Sequence, residues 1–213
     1  MRNDAYESIA PAEVRGHPLP RHGVGRYEGG RAFAVATGIG RPRGWSLARR
    51  HVLRGLGEGL ERSKSVDPGE RLRLAIAAAR SALVDACNAL VERDVPDAGI
   101  VALLLSGGSA HVAVVGDSRV YLQRGGRPQR LTPRDQRAEG LLDGEVVGAE
   151  TPLDPDDLLL VGSASAFSEA AISRVGGVLQ SDAQAPPAAL ASLLTEPARK
   201  AGVGAAALAI RIV

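Results

Sequence analysis

The sequence predicts an α+β fold in which antiparallel strands and helices form a sheet sandwich. Two alternating apolar runs, His111–Val115 and Val120–Leu122, flank the polar corner Gly116–Arg119. Alternation bounded by glycine-rich turns is typical of half-buried antiparallel strands. Two other segments, Trp45–Glu61 and Glu70–Glu92, repeat apolar residues at helical spacing. Strands joined mostly by hairpins around a pair of central helices indicate this architecture.

The N-terminal thirty residues lack a clear periodicity. We interpret Met1–Ala10 as a polar lead-in and Pro11–Gly30, which is rich in Pro, Gly, Arg and His, as a loop. His17 and His22 fall in this predicted loop, and we interpret them as solvated rather than metal-binding side chains.

The rest of the chain alternates between short strands and helices. Asp67 before Pro68 is a good N-cap for the second helix, and the run Asp94–Asp97 is predicted to stop this helix. Ala138–Gly148 is predicted to be a connector rich in Gly and acidic residues. The remaining predicted strands are Arg31–Ala36, Gly99–Leu105, Gln129–Leu131, Leu158–Val161 and Ala205–Val213, and the remaining predicted helices are Ser168–Val175 and Pro187–Ala201.

Composition limits the function classes. The 213 residues suit one domain, and the formal net charge of +2 is too small to indicate nucleic-acid binding. One cysteine, Cys87, excludes an intramolecular disulfide and a cysteine zinc cluster. No apolar run approaches the ~18 residues of a membrane span, and the N-terminus does not resemble a signal peptide. We therefore expect a cytoplasmic protein that contacts no membrane.

The segment VGDSRVYLQRGG, followed by LTPRDQ, resembles the centre of the PPM-type, or protein phosphatase 2C-like, metal-dependent serine/threonine phosphatases. The resemblance implies a more exact fold, an α-β-β-α sandwich of two antiparallel sheets flanked by helices. It implies one such domain over residues 1–213. The family's leading strand would fall before Met1, and the flap beside the family's active site would be reduced.

Further segments resemble the family's metal-binding motifs, with substitutions. Arg2–Tyr6 resembles NEDAY, which places Asp4 on a metal-associated aspartate, and Asp117 is the aspartate of VGDSR. In FAVATGIG, Thr37 stands where the family has the aspartate that bridges two metal ions, whereas Gly38 keeps the glycine whose carbonyl helps to bind them. Ala164 replaces the metal aspartate of LLLCSDG, and Gly204 replaces the aspartate of DNITVVV.

These substitutions remove negative charge from the implied metal site. Paired Mn²⁺ or Mg²⁺ ions need oxygen ligands, mostly carboxylates, and a bridging anion that offsets their repulsion at ~3.5–4 Å. Thr37 offers a neutral hydroxyl, and Ala164 and Gly204 offer no side-chain ligand. Asp4 and Asp117 could keep at most one weakly held ion. The alternatives are that Asp117 caps the corner through backbone N–H groups and that Asp4 is solvated.

The resemblance and the substitutions together predict a pseudophosphatase that acts as a binding or regulatory module in bacterial-style phospho-signalling. No cofactor is expected. Mn²⁺ or Mg²⁺ would be expected only if the domain kept phosphatase activity. The expected partner is a protein, such as a phosphoprotein or a kinase. Four arginines near the implied metal site could bind an acidic or phosphorylated ligand: Arg41, Arg43, Arg49 and Arg50. The alternative for these arginines is a solvated basic face. The alternatives for the function of the domain are a divergent Mn²⁺- or Mg²⁺-dependent phosphatase that recruits other acids, including Asp154, Asp156 and Asp157, and a structural subunit of a larger complex.

Overall fold

The computed structural model describes residues 2–64, 67–90, 95–125, 127–134 and 137–213. Outside the described residues lie Gly126 of the VGDSRVYLQRGG segment, residues 91–94 at the end of the second predicted helix, and Asp135–Gln136 of the LTPRDQ segment. The elements that the structure describes are β1 (Asn3–Val14), β2 (His17–Leu19), β3 (His22–Tyr27), β4 (Ala32–Ile39), α1 (Pro42–Arg62), α2 (Pro68–Asn88), β5 (Asp97–Ser106), β6 (Ser109–Val115), β7 (Arg119–Arg124), β8 (Arg127–Arg130), β9 (Val147–Pro152), β10 (Leu158–Gly162), α3 (Glu169–Ser181), α4 (Pro187–Lys200) and β11 (Val203–Ile212).

The strands form two antiparallel sheets. Sheet A has the order β2-β1-β11-β10-β7-β8, and sheet B has the order β3-β4-β5-β6-β9. Alternate side chains of the central strands serve two different cores, as the pleat requires. In β4, Ala34 packs with α1 and α2, whereas Val35 packs between the sheets. In β11, Leu208 lies between the sheets, whereas Ala207 packs with α3 and α4. The predicted α-β-β-α sandwich is therefore confirmed.

The N-terminal segment differs from the prediction. Residues 3–14 form a long strand, β1, which pairs with β11 from Asn3–Ile212 to Ala12–Val203, and the predicted loop contains β2 and β3. The interpretation of a polar lead-in followed by a loop is therefore wrong. Much of β1 is exposed, and its buried residues, such as Ala10, are small, so the apolar signal is weak. The absence of the family's leading strand and the reduced flap stay predictions.

Helices α1 and α2 pack closely because glycines lie at their contact. A Cβ atom built on Gly59 would lie 2.6 Å from the Cα atom of Ala75, and one on Gly55 would lie 2.7 Å from the Cβ atom of Ala82. These glycines, which cost helix propensity, thus permit backbone contact. The predicted N-cap is confirmed, since the Asp67 carboxylate accepts hydrogen bonds from the backbone N–H groups of Gly69 and Glu70.

The predicted connector ends in a strand that the sequence pattern did not indicate. Strand β9 begins at Val147 and pairs with β6 at the edge of sheet B. The chain before it, from Leu131 to Val146, contains no helix or strand among its described residues. Across the described parts of the chain, every helix is too short or too polar to span a bilayer.

Candidate functional site

The segments that resemble the metal-binding motifs meet at one end of the sandwich, which we call the mouth: Thr37, Gly38, Asp117, Ala164 and Gly204. In sheet B, Thr37 pairs with Gly99, and the next residue of β5 pairs with Val115, two residues before Asp117. In sheet A, Gly162 pairs with Arg119 on one side and with Ala207 on the other. The strand register therefore places all five residues at neighbouring strand ends.

His22 links the two sheets across the mouth. Its Nδ1 atom is 3.0 Å from the hydroxyl of Thr37, the residue that pairs with His22 between β3 and β4. The Gly204 backbone of sheet A lies beside the imidazole ring. The side chain is 3% exposed. Burial, and next the neighbouring charge of Arg21, lower the pKa of His22 to about 4, while Gly204 acts in the opposite direction. The imidazole is therefore neutral at pH 7.

Two serines occupy the sheet A side of the mouth. The Ser165 hydroxyl donates a hydrogen bond of 2.7 Å to the Gly204 carbonyl, and it lies 3.0 Å from the Ser163 hydroxyl. Ser163 Oγ accepts a bond from the backbone N–H of Ala206. The Arg119 guanidinium donates to the Phe167 carbonyl, which ties the Asp117 corner to the short 3-10 helix that Ala164 begins.

Arg21 places a positive charge against the Gly38 carbonyl. Its Nε atom donates a hydrogen bond of 3.1 Å to that oxygen, and its guanidinium carbon lies 5.3 Å from the centroid of the Trp45 ring. This is a cation–π distance. The carbonyl that the resemblance assigned to metal binding therefore already has a cationic partner from the protein itself.

Asp117 is the carboxylate of the mouth, and it is half-buried. Within the described residues, its side chain makes no hydrogen bond or ion pair, so nothing there supports the alternative that it caps the corner through backbone N–H groups. Asp117 remains available to a ligand.

The interpretation of Asp4 as a metal ligand is wrong, because the structure places it at the other end of sheet A. Asp4 pairs with Arg211 of β11, whereas Gly204 lies seven positions earlier on the same strand. At about 3.3 Å per residue, the separation is roughly 23 Å. Asp157, an acid considered for a rebuilt site, is also at that far end, where its carboxylate binds Arg124. His22, not Asp4, faces Thr37.

The mouth does not fit a pair of divalent cations. Manganese and magnesium need several oxygen ligands, mostly anionic. Here Asp117 supplies one carboxylate, the Thr37 hydroxyl is engaged by His22, and the Gly38 carbonyl faces a guanidinium. No group of three or more His, Cys, Asp or Glu side chains suited to a metal ion occurs in the described residues.

The four arginines predicted to bind anions do not share one pocket. Arg41 and Arg43 line a cavity of about 170 Å³ beside Leu90 and Pro96. Arg50 lines another, of about 210 Å³, with His51 and Arg54. Arg49 instead contacts the segment before β3, where its Nε atom donates a hydrogen bond of 3.2 Å to the Pro20 carbonyl.

Sequence reasoning missed Arg21 and His22. Both lie in the segment interpreted as a loop, and His22 was assigned to solvent. The available signal was the Glu28–Gly30 turn directly before the predicted strand Arg31–Ala36, because such a turn indicates a hairpin with a preceding partner strand.

No protein-family model matches the chain, and no curated protein matches it. Solved structures do match over nearly the whole length. The catalytic domain of the serine/threonine phosphatase PstP in complex with two manganese ions has a TM-score of 0.83 at 20% identity, covering 99% of this chain and 98% of that one; a second structure of this enzyme is from Mycobacterium tuberculosis. The PPM phosphatase MsPP from Mycobacterium smegmatis has a TM-score of 0.72 at 22% identity, with 99% and 98% covered.

A third protein of similar structure is PppA of Pseudomonas aeruginosa, described as a key regulatory component of a type VI secretion system. Its TM-score is 0.73 at 19% identity, and the match covers 100% of this chain and 99% of that one. At these identities the likeness shows the fold. The chain therefore has the fold of the PPM-type serine/threonine phosphatases, as the resemblance around VGDSR implies.

Proposed function

We propose that this domain is a PPM-type phosphatase fold that does not hydrolyse phosphate esters and that acts as a cytoplasmic binding or regulatory module in phospho-signalling. The observation that carries the proposal is that several polar groups in the mouth bind one another, whereas His22 Nε2 and Ser118 Oγ are buried without a hydrogen-bond partner among the described residues. Arg21 binds the Gly38 carbonyl, His22 binds the Thr37 hydroxyl, and Ser165 binds the Gly204 carbonyl. The mouth is held together by the chain's own groups.

Charge supports the same proposal. A hydrolytic site of this kind uses bound metal to activate water and to stabilise the transition state. In this mouth the cationic Arg21 lies beside the Gly38 carbonyl, and its charge disfavours an added dication. What these residues can do is link the two sheets at the mouth, where Arg21 adds a positive charge.

A divergent Mn²⁺- or Mg²⁺-dependent phosphatase is the second candidate, and the available Asp117 carboxylate favours it. A further acid, Asp97, begins β5 on the same edge. Burial raises the pKa of Asp97, and Asp143 adds to that effect. However, the Asp97 carboxylate accepts hydrogen bonds from the backbone N–H groups of Ala98 and Leu142, so it is used in holding the connector.

The test is hydrolysis of p-nitrophenyl phosphate and of a phosphoserine peptide with Mn²⁺ or Mg²⁺. We expect no turnover above that of the Asp117→Asn variant, because the metal-binding carboxylates are missing. Turnover by the wild-type protein that Asp117→Asn abolishes would overturn the proposal and establish the enzyme. His17→Asn, an exposed change in β2, serves as the matched control.

A further inference from the structure

We propose that the groove between α3 and the β7–β8 hairpin binds a leucine-sized aliphatic side chain that an acidic segment of a partner protein inserts. We call it the α3 groove, and its lining includes Ile172, Val175 and Leu179 of α3, Tyr121 of β7, Pro128 of β8 and the buried Leu160 of β10. The inference rests on the proposed function, a binding module. It names a surface outside the mouth and the chemistry of the partner.

The groove exists because the helix layer over sheet A ends before the sheet does. Helix α4 packs mainly on β1 and β11, and α3 packs mainly on α4. Strands β7 and β8 continue sheet A beyond β10. Side chains of β7 that point to the helix side, such as Tyr121, therefore stay partly exposed. The strip between α3 and these strands is a surface that the described part of the chain leaves uncovered.

The walls of the α3 groove are apolar. Ile172, Val175 and Leu179 recur at helical spacing and therefore share one face of α3. On the opposite wall, the ring centroids of Tyr121 and Phe167 lie 4.9 Å apart. None of the described residues that line the groove carries a charge. The groove itself therefore favours an apolar side chain over a polar one.

The size of the groove selects the kind of apolar side chain. The space within it is about 80 Å³. An apolar cavity of about 150 Å³ holds benzene, so this smaller space suits a branched aliphatic side chain better than an aromatic ring. Placing such a side chain there removes apolar surface from water on both partners, which is favourable.

A glycine keeps the groove open. Gly176 lies in the middle of α3 and lines the groove, and a Cβ atom built on it would meet no atom within 4 Å. Packing within the chain therefore does not require a glycine at this position, in contrast to Gly55 and Gly59 of α1. A glycine in a helix interior lowers helix propensity. What it provides here is unobstructed access to the space beside Val175.

The charge of the hairpin beside the groove favours an acidic partner. Residues 117–137 contain six arginines and two aspartates. Of these arginines, Arg124 is paired with acids of the turn before β10. Arg130 lies opposite Tyr121 between β7 and β8, and side chains of directly opposed residues lie on the same face of a sheet. A positive charge therefore stands next to the apolar walls.

Charge also decides between a partner protein and a second copy of this chain. A twofold interface at this groove would bring two arginine-rich hairpins together, and like charges that face each other are unfavourable. On α3 itself, the acidic residues Glu169 and Asp182 lie at the start and at the C-cap, away from the middle of the groove. An acidic segment with one aliphatic side chain satisfies both the hairpin and the groove.

The test is a titration of the whole domain with a capped heptapeptide of Glu and Asp that carries one central leucine. Two further peptides are titrated at equal ionic strength. One has serine in place of the leucine, and the other keeps the leucine but has lysine in place of every acid. NMR of the Leu160 and Ile172 methyl groups reports on the groove, because both residues line it.

We expect the acidic leucine peptide to shift these methyl resonances saturably, the serine peptide to bind about tenfold or more weakly, and the lysine peptide not to bind. Gly176→Leu should weaken binding of the leucine peptide about tenfold or more, because the new side chain occupies the groove. The matched control is Gly177→Leu. It changes the helix propensity of α3 to the same extent and also has space for a Cβ atom, but it points to solvent and should leave binding unchanged.

Three results would refute the α3 groove as the binding site: no saturable shift with the leucine peptide, equal binding of the serine peptide, or a Gly176→Leu variant that behaves like Gly177→Leu. Equal binding of the lysine peptide would refute the acidic partner. Methyl shifts that follow protein concentration without peptide would identify a second copy as the occupant instead. The peptides carry no phosphate, so turnover with Mn²⁺ contradicts the proposed function, whereas these results contradict the α3 groove alone.

Discussion

Replacing Arg71 by Met is expected to lower the free energy of unfolding by about 3–5 kcal/mol, as removal of one partner from a buried ion pair does. Arg71 lies in the first turn of α2 and binds the Glu28 carboxylate. The exposed fractions of the Arg71 and Glu28 side chains are 10% and 3%. The same guanidinium donates to the Leu60 carbonyl near the end of α1 at 2.8 Å. The substitution would leave the buried Glu28 carboxylate with only the longer contact, at 4.0 Å, to the exposed Arg31.

Urea unfolding measures this loss, and the chain offers a matched control. Arg73→Met, two residues along α2, removes an exposed pair with Glu70 and should cost less than about 1 kcal/mol. The double variant Glu28→Gln/Arg71→Met should be more stable than the sum of its single changes predicts, because neither charge is then left buried alone. Equal effects of Arg71→Met and Arg73→Met would contradict this account of the pair.

Lowering the pH from 7.5 to 4 is expected to destabilise the protein through His22 by roughly 3 kcal/mol, since one pKa unit corresponds to about 1.36 kcal/mol. The pKa of His22 is about 4 in the folded chain, against an ordinary value of 6.5. Between these values the unfolded chain binds the additional proton, so stability rises with pH. The His22 contribution is complete above pH 6.5 and is lost as the pH falls towards 4.

His22→Asn should flatten this part of the pH dependence of urea unfolding. The control is His17→Asn, which removes an exposed histidine of the neighbouring strand and should preserve the wild-type slope. An NMR titration of the His22 ring gives the pKa directly. A value near 6.5 in the folded protein would contradict the burial of a neutral imidazole in the mouth.

The central part of the fold could be predicted because local pattern and tertiary environment agree there. The alternation around Asp117 and the capped amphipathic helix after Asp67 both correspond to elements that the structure contains. Strand β1 could not be read in the same way, because much of it is exposed and its buried positions hold small residues such as Ala10. Its assignment depends on long-range pairing with β11, which a local pattern does not encode.

The residues of the mouth could be predicted from the sequence, but the contacts between them could not. The resemblance selects Thr37, Ala164 and Gly204, and their interpretation as replaced acids stays a prediction. The interactions that follow depend on residues far apart in sequence, such as His22 beside Gly204. The error at Asp4 has the same origin. RNDAY matches the NEDAY motif locally, whereas the strand register places Asp4 at the opposite end of sheet A.

The most direct test of the account is a calorimetric titration of the wild-type domain with Mn²⁺. The central claim is that the mouth has exchanged paired cations for the chain's own Arg21, His22 and Ser165. The account predicts no saturable binding of Mn²⁺ in the micromolar range. Two-site micromolar binding that is lost in Asp117→Asn would contradict it.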